Sequence, residues 1–317
     1  ARGAVALRST TPHATTSMLV GDAMQEVPLY LREELPLDTE IRGPALVLEG
    51  PSTIVIDEGF VGTLYHAGYL ILRDTTPTAR TQGEGDSARD PVRLEVFANL
   101  ITSIAEQMGG VLQRTALSTN IRERLDFSCA VFDDKGELIA NAPHIPVHLG
   151  AMSESVRAVI AAHAKPEPGD VYATNDPQLG GSHLPDITVV TPVFGEDGKL
   201  AFFTANRGHH ADVGGITPGS MPPFSRTLDE EGAVFRATRI VRGGMLDERA
   251  IRHVLEAGPY PARNVEQNLR DLEAQIAANR AGEKLLGELA LRFGRDATRA
   301  YMGYLLDDAQ AKVEDAL

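Results

Sequence analysis

The chain has 317 residues, 43% hydrophobic and 23% charged, an ordinary globular balance with room for one large domain or two smaller ones. A net charge of −14 without any Lys/Arg block argues against nucleic acid or an anionic membrane as partner, and no apolar run is long enough to span a bilayer. The single cysteine, Cys129, excludes an internal disulfide framework and fits a reducing, cytoplasmic setting.

The N-terminus has neither an initiator Met nor the apolar core of a signal peptide, and only a faint transit-peptide character. Ala1 is therefore read as an internal residue of a longer protein. Residues 1–75 read as β-rich. Strand candidates cover 43–48 and 52–56, broken by Gly50-Pro51, then 60–65 and 69–72 after a turn at Asp57-Glu58-Gly59. The stretch TTPTARTQGEGDSAR at 75–89 holds no large apolar side chain and reads as a linker.

A different pattern starts at Asp90-Pro91, a helix start. Phe97, Leu100, Ile101, Ile104, Met108, Val111 and Leu112 follow at helical spacing. Residues 126–140 read as a hairpin about Asp134-Lys135-Gly136. A helix is expected over 153–164, capped by Ser153, because Pro146 argues against a helix through 144–148. A strand over 170–174 delivers Asn175-Asp176. Apolar runs at 187–194 and 199–205 form a hairpin about Gly195-Glu196-Asp197-Gly198. After the irregular stretch ITPGSMPPFS, the chain is mostly helical from Asp247, with 265–293 the longest helix. The expected class is α+β. A small β segment (1–75) and a linker (76–89) precede a mixed domain (90–317) with antiparallel hairpins and a helical C-terminal part.

Two Gly-rich segments flank the hairpin at 187–205 and carry the chemistry. The first holds Asp176, Gly181, His183 and Asp186; the second holds His209, His210, Asp212, Gly214 and Gly215. A turn centred on Glu196-Asp197 sets Asp186 opposite Arg207 and His183 opposite His210. Cross-strand neighbours approach within roughly 5 Å, so these side chains converge at the open end of the hairpin. Imidazole and carboxylate together suit a divalent transition metal (Mn, Zn or Fe) better than calcium. His183 and Asp186 with His209, His210 and Asp212 form the candidate ligand cluster; the alternative is that they brace loop backbone. Residues three apart on a strand face opposite ways, so His183 and Asp186 can share a metal only if Leu184-Pro185 turns the chain.

Asp176, His210 and His148 are the candidate catalytic groups, with an Asx-turn as the alternative for Asp176 and packing at a strand end for His148. His144 and Asp212, with Gly181, Gly214 and Gly215, are candidate substrate contacts; the glycines serve equally as plain turn residues. Cys129 sits in an apolar strand and reads as a buried structural thiol. Gln275 and Asn279 lie on an Ala-rich helix, where interhelical hydrogen bonding is the commoner use. The sequence has no Walker-type phosphate loop, no Gly-x-Gly-x-x-Gly after a strand and no Gly-x-Ser-x-Gly elbow.

The segments ERLDFSCAVFDDKGELIANAPHIPVHLGAM, GDVYATNDPQLGGSHLPDITVVTPVF and ANRGHHADVGGITPGSMPP closely resemble the hydantoinase B/5-oxoprolinase family, from about Asp90 to the end. Residues 1–75, with IRGPALVLEGPSTIVIDEGFVGTLYHAGYLILRD, are similar to the C-terminal tail of the family's A part, in the order of fused 5-oxoprolinases. The resemblance implies ATP-dependent hydrolysis of a small cyclic amide, such as 5-oxo-L-proline to L-glutamate. It implies that ATP and Mg are bound by an A-type ATPase region outside this chain, as a partner region or subunit, and that the B part completes ring opening. A family metal motif, His-x-x-Asp followed by a His about one hairpin later, matches His183, Asp186 and His209 or His210. Homo-oligomeric assembly is also implied. The chain is expected to be a fragment, inactive alone, since the ATPase body is absent and the B-like part stops about half way. Other readings are an N-methylhydantoinase or hydantoinase B subunit, an acetone- or acetophenone-carboxylase-type subunit, and a non-catalytic assembly module.

Overall fold

A computed structural model describes residues 10–21, 23–65, 68–75, 87–142 and 145–316. The chain divides into two compact units, Ala1–Thr81 and Gln82–Leu317. Most of the predicted linker, at 76–86, and His144 lie outside the described residues. Among the described residues, no helix is long and apolar enough to cross a membrane.

Among its described residues, the first unit is all β apart from one short 3-10 turn. Its strands are β1 (Ala14–Val20), β2 (Ala23–Leu31), β3 (Glu40–Arg42), β4 (Ala45–Glu49), β5 (Ser52–Ile56), β6 (Phe60–Leu64) and β7 (Leu70–Asp74). They form one sheet in the order β1-β2-β4-β5 and another in the order β3-β6-β7. Alternate residues Ala45 and Val47 join Leu35, Ile41, Ile56 and Leu64 in a small core. The hairpin β1–β2 escapes the sequence pattern. Its first strand, ATTSMLV, buries no residue fully and is held by its ladder to β2.

The second unit runs through α1 (Pro91–Thr115), α2 (Thr119–Arg122), β8 (Phe127–Asp133), β9 (Leu138–Asn141), α3 (Pro146–Ala162), β10 (Val171–Thr174), β11 (Asp186–Phe194) and β12 (Leu200–His209). It continues with β13 (Thr238–Arg242), β14 (Met245–Leu246), α4 (Glu248–Glu256), α5 (Val265–Phe293) and α6 (Arg295–Ala316). The seven strands form one antiparallel sheet, β14-β13-β10-β11-β12-β8-β9. Strand alternation splits its side chains between two helical layers. Phe127, Cys129 and Val131 pack with Ile101, Met108 and Leu112 of α1 and Ala274 and Ala278 of α5. Ala130, Phe132, Val190, Phe203 and Ala205 pack on the other face with Met152, Val156 and Val159 of α3. Burial on both faces explains why β8, β11 and β12 read as near-continuous apolar runs. Burial also pushes the Cys129 thiol well up, as befits a structural cysteine.

Two local expectations need correction. The β11–β12 ladder sets Asp186 opposite His209 and Thr188 opposite Arg207, two residues from the predicted register. One residue comes from the turn: Gly195 N donates to Lys199 O at 2.9 Å and closes a loop over 196–198. The second comes from a bulge, since Phe194 pairs with Leu200 but Val193 pairs with Phe202. A shift of two keeps every side chain on its expected face. The other correction is α3, which begins at Pro146 rather than Ser153. Proline at the first helical position loses no hydrogen bond, because that N–H has no intrahelical partner anyway. Pro146 therefore opens the helix and carries His148 in its first turn.

Candidate metal centre

The ends of three neighbouring strands meet at one end of the sheet. Asp186 opens β11, His209 ends β12 beside it, and Asp126 directly precedes β8 on the far side of β12. His209 N donates to Asp126 O at 3.0 Å, so the three residues form a row across the sheet. The chain turns just before Asp186: its N–H donates to His183 O at 3.0 Å, and Ile187 N donates to Pro185 O at 3.1 Å. That turn, at the predicted Leu184-Pro185 step, folds His183 back over Asp186.

The donor atoms converge tightly. His183 Nε2 is 3.0 Å from His209 Nδ1 and 3.2 Å from Asp186 Oδ1, and His209 Nδ1 is 2.9 Å from the same oxygen. Ligands about 2.1 Å from one cation, at right angles, stand about 3 Å apart, so the spacing fits a shared metal. The three residues form a possible metal-binding group, with donor atoms all within 4.8 Å of one another. His148 adds a third imidazole, its Nε2 3.3 Å from Asp186 Oδ2 and 3.7 Å from Asp126 Oδ1. Asp126 Oδ2 lies 3.8 Å from His209 Nδ1. Ser182 Oγ donates to Asp186 Oδ2 at 2.8 Å. Asp186 is fully buried, whereas the His183 side chain is 38% exposed and marks the open side of the cluster.

Burial would push the Asp186 carboxyl up, but hydrogen bonds from His148, His183 and His209 outweigh it and hold the group far below the usual carboxylate range. In turn, the hydrogen bond to Asp186 raises His183 above the usual imidazole value, against burial, which lowers it. Two positions before His209 on the same strand face lies Arg207, fully buried. Burial pushes its guanidinium down to about 10 and Asp186 opposes that, so it stays a cation at neutral pH.

Other predicted site residues sit elsewhere. His210 faces the opposite side of the sheet, fully buried, with Nδ1 2.8 Å from Asn268 Oδ1 and Nε2 3.0 Å from Gln275 Oε1 of α5. Gln275 Nε2 and Asn279 Nδ2 donate to Ile187 O and Val189 O at 2.8 and 3.0 Å, fastening α5 to β11. Asp176 accepts from Gln178 N at 2.9 Å and pairs with Arg236 Nε at 3.0 Å, the loop-bracing role. Asp212 accepts from Gly214 N, Gly219 N and Arg263 Nη1 at 3.0, 3.0 and 2.7 Å. A Cβ on Gly181, Gly214 or Gly215 would run into the carbonyl oxygens of Asn175, Tyr260 or Glu231, so these glycines admit neighbouring backbone. Asp126 went unread in the sequence. Its approach depends on β8 lying beside β12, which no local spacing reveals.

Residues 90–317 match the Hydantoinase B/oxoprolinase family. The chain is 45% identical over 304 residues to 5-oxoprolinase 1 of Arabidopsis thaliana, covering 92% of this chain and 24% of that protein. It is 43% identical over 297 residues to 5-oxoprolinase of Dictyostelium discoideum, covering 92% and 23%. Among solved structures, it is similar to the ATP-dependent caprolactamase from Pseudomonas jessenii, with a TM-score of 0.64 and 31% identity over 71% of this chain and 38% of that one. The chain thus spans about a quarter of the length of these two curated relatives. On the family match across the whole second unit beyond residue 90, the chain belongs to the hydantoinase B/oxoprolinase family.

Proposed function

We propose that this chain supplies the metal-assisted ring-opening half of an ATP-dependent hydrolase acting on 5-oxo-L-proline. The convergence of His183, Asp186 and His209, in a chain 45% identical to a 5-oxoprolinase, carries the reading. A lactam is a poor electrophile. In this reading an A-type ATPase region outside the chain phosphorylates the amide oxygen, and water then gives L-glutamate, ADP and phosphate overall. A divalent Mn, Zn or Fe ion at His183 Nε2, Asp186 Oδ1 and His209 Nδ1 would supply Lewis-acid polarisation of a substrate oxygen or a more acidic water.

The chain's own residues do the remainder. Asp186 stays ionised, and Ser182 and His148 engage its Oδ2, which leaves Oδ1 for the cation. His148 is the group placed to hold a proton. Its Nε2 sits between the Asp126 and Asp186 carboxylates, and its Nδ1 is 3.2 Å from Ser128 Oγ. Asp176 and His210 are tied to other partners and leave this role to it. His183 lies on the exposed side, where a small cyclic amide can approach.

The test combines metal analysis with turnover. The purified chain should carry about one equivalent of transition metal. Assembled with both an A-type ATPase region and the rest of the B-type region, it should couple 5-oxoproline hydrolysis to ATP hydrolysis. His183→Ala should lose the metal and at least about 100-fold of coupled turnover, the scale of a lost metal function. Undiminished coupled turnover in His183→Ala would remove the cluster from the mechanism.

A further inference from the structure

We propose that Arg207 is the positioning residue of the metal centre: one buried guanidinium fixes the three segments that deliver His183, His148 and Asp186. The row of sheet residues next to the ligand row is Ser128, Arg207 and Thr188. Arg207 Nε donates to Thr188 Oγ1 at 2.7 Å. Its Nη2 donates to Ser155 Oγ at 2.8 Å and Gly180 O at 2.7 Å. Its Nη1 reaches His148 O and Ser182 Oγ, both at 3.4 Å. None of these acceptors is a carboxylate. The charge reaches Asp186 through Ser182, whose Oγ donates to Asp186 Oδ2.

A buried cation served by neutral acceptors is expensive, and an apolar side chain of similar volume would fill the space at lower cost. What the guanidinium adds is geometry. It offers five N–H donors in a fixed planar fork, whereas a lysine ammonium offers three from one point. Its nitrogens reach three pieces of the site: Nε ends on β11, and Nη1 and Nη2 each bridge α3 and the segment at 180–182. Gly180 and Ser182 belong to the segment that leads into His183. His148 and Ser155 belong to α3, in its first and third turns. Thr188 follows Asp186 on β11. His183, Asp186 and the proton-holding His148 come from three places in the chain, and Arg207, on the same strand as the third metal donor His209, is a hydrogen-bond partner common to all of them.

The proposal rests on the metal reading above, and its test separates the two. The probe is Co(II), titrated into the 317-residue chain, with affinity and visible absorption spectrum as readouts. Arg207→Lys keeps the charge and loses the fork. It should bind Co(II) about 10- to 100-fold more weakly, as outer-shell substitutions do, and its absorption bands should shift in position and intensity. Ser155→Ala touches no metal donor; Ser155 Oγ only accepts from Arg207 and donates to Gly180 O at 2.9 Å. It should move affinity and spectrum in the same direction by a smaller factor. A mere loss of stability would lower the melting temperature and leave the spectrum of the folded, loaded protein unchanged. Wild-type affinity and spectrum in both variants would overturn the positioning role. If Arg207→Lys does not fold, Ser155→Ala decides alone by the same criterion. Failure of the wild-type chain to bind Co(II) would overturn the metal reading and this proposal with it, an outcome distinct from normal wild-type binding with unaffected variants.

Discussion

His209 and His210 are adjacent in the chain, yet their rings lie on opposite faces of the sheet. Strand alternation sends His209 to the α3 face, into the cluster with His183 and Asp186, and His210 to the α5 face, between Asn268 and Gln275. The two substitutions should therefore separate cleanly. His209→Ala should abolish metal retention. His210→Ala should keep it and cost about 1–3 kcal/mol of stability, because two buried amide oxygens lose their partner. Metal content after dialysis and urea midpoints read the two effects, and loss of metal in His210→Ala alone would reverse the assignment. Residue types and the His-x-x-Asp spacing were enough to nominate His183 and Asp186 with the His209/His210 pair from sequence. Which of two consecutive histidines joins them depends on strand phase. Asp126 was invisible because it reaches the cluster only through the β8–β12 pairing.

At the scale of elements, long periodic segments read well and punctuation read poorly. The 3.6-residue apolar period and the Asp90 cap place α1, and α5 spans 265–293 as its periodicity indicates. The Asp90 carboxylate accepts from Arg93 N at 2.7 Å, the hydrogen bond its position calls for. The β11–β12 register missed by two residues because neither the loop closed by Gly195 and Lys199 nor the bulge beside it leaves a mark on the apolar pattern. Pro146 was read as a helix breaker when its place was the first helical position.

The loop after β12 gives a pH test at the same scale. Burial alone would raise the Asp212 carboxyl, but the N–H groups of Gly219, Arg263 and Gly214 and the Arg263 guanidinium hold it below the usual value. A depressed folded-state pKa adds stability that is complete above the unfolded value of about 3.9 and is lost as pH falls through the folded one. Asp212→Asn removes that contribution. The stability gap between wild type and Asp212→Asn should be flat from about pH 5 to 7 and narrow below about pH 4. Urea unfolding across that range measures it, and a gap that stays constant into acid would show that the carboxylate charge plays no part.

At the scale of the whole molecule, the family match covers 90–317, and the chain spans about a quarter of the two 5-oxoprolinases compared with it. Opening an unactivated lactam requires a better leaving group than an amide oxygen, and in the proposed scheme ATP provides it. The sequence carries no Walker-type loop or Gly-x-Gly-x-x-Gly turn to cradle phosphates. The site described here is built from imidazoles and carboxylates around Asp186, a donor set that attracts a cation and repels a triphosphate. Among the described residues, the one buried cation nearby, Arg207, is spent on protein acceptors. The isolated chain should therefore bind transition metal but neither bind ATP nor hydrolyse 5-oxoproline. Supplying an A-type ATPase region, in trans or by fusion, should be necessary before coupled turnover appears. Isothermal calorimetry with Mg-ATP checks the first statement directly. Micromolar ATP binding by the chain alone would place a nucleotide site within these 317 residues and move the activation step into them.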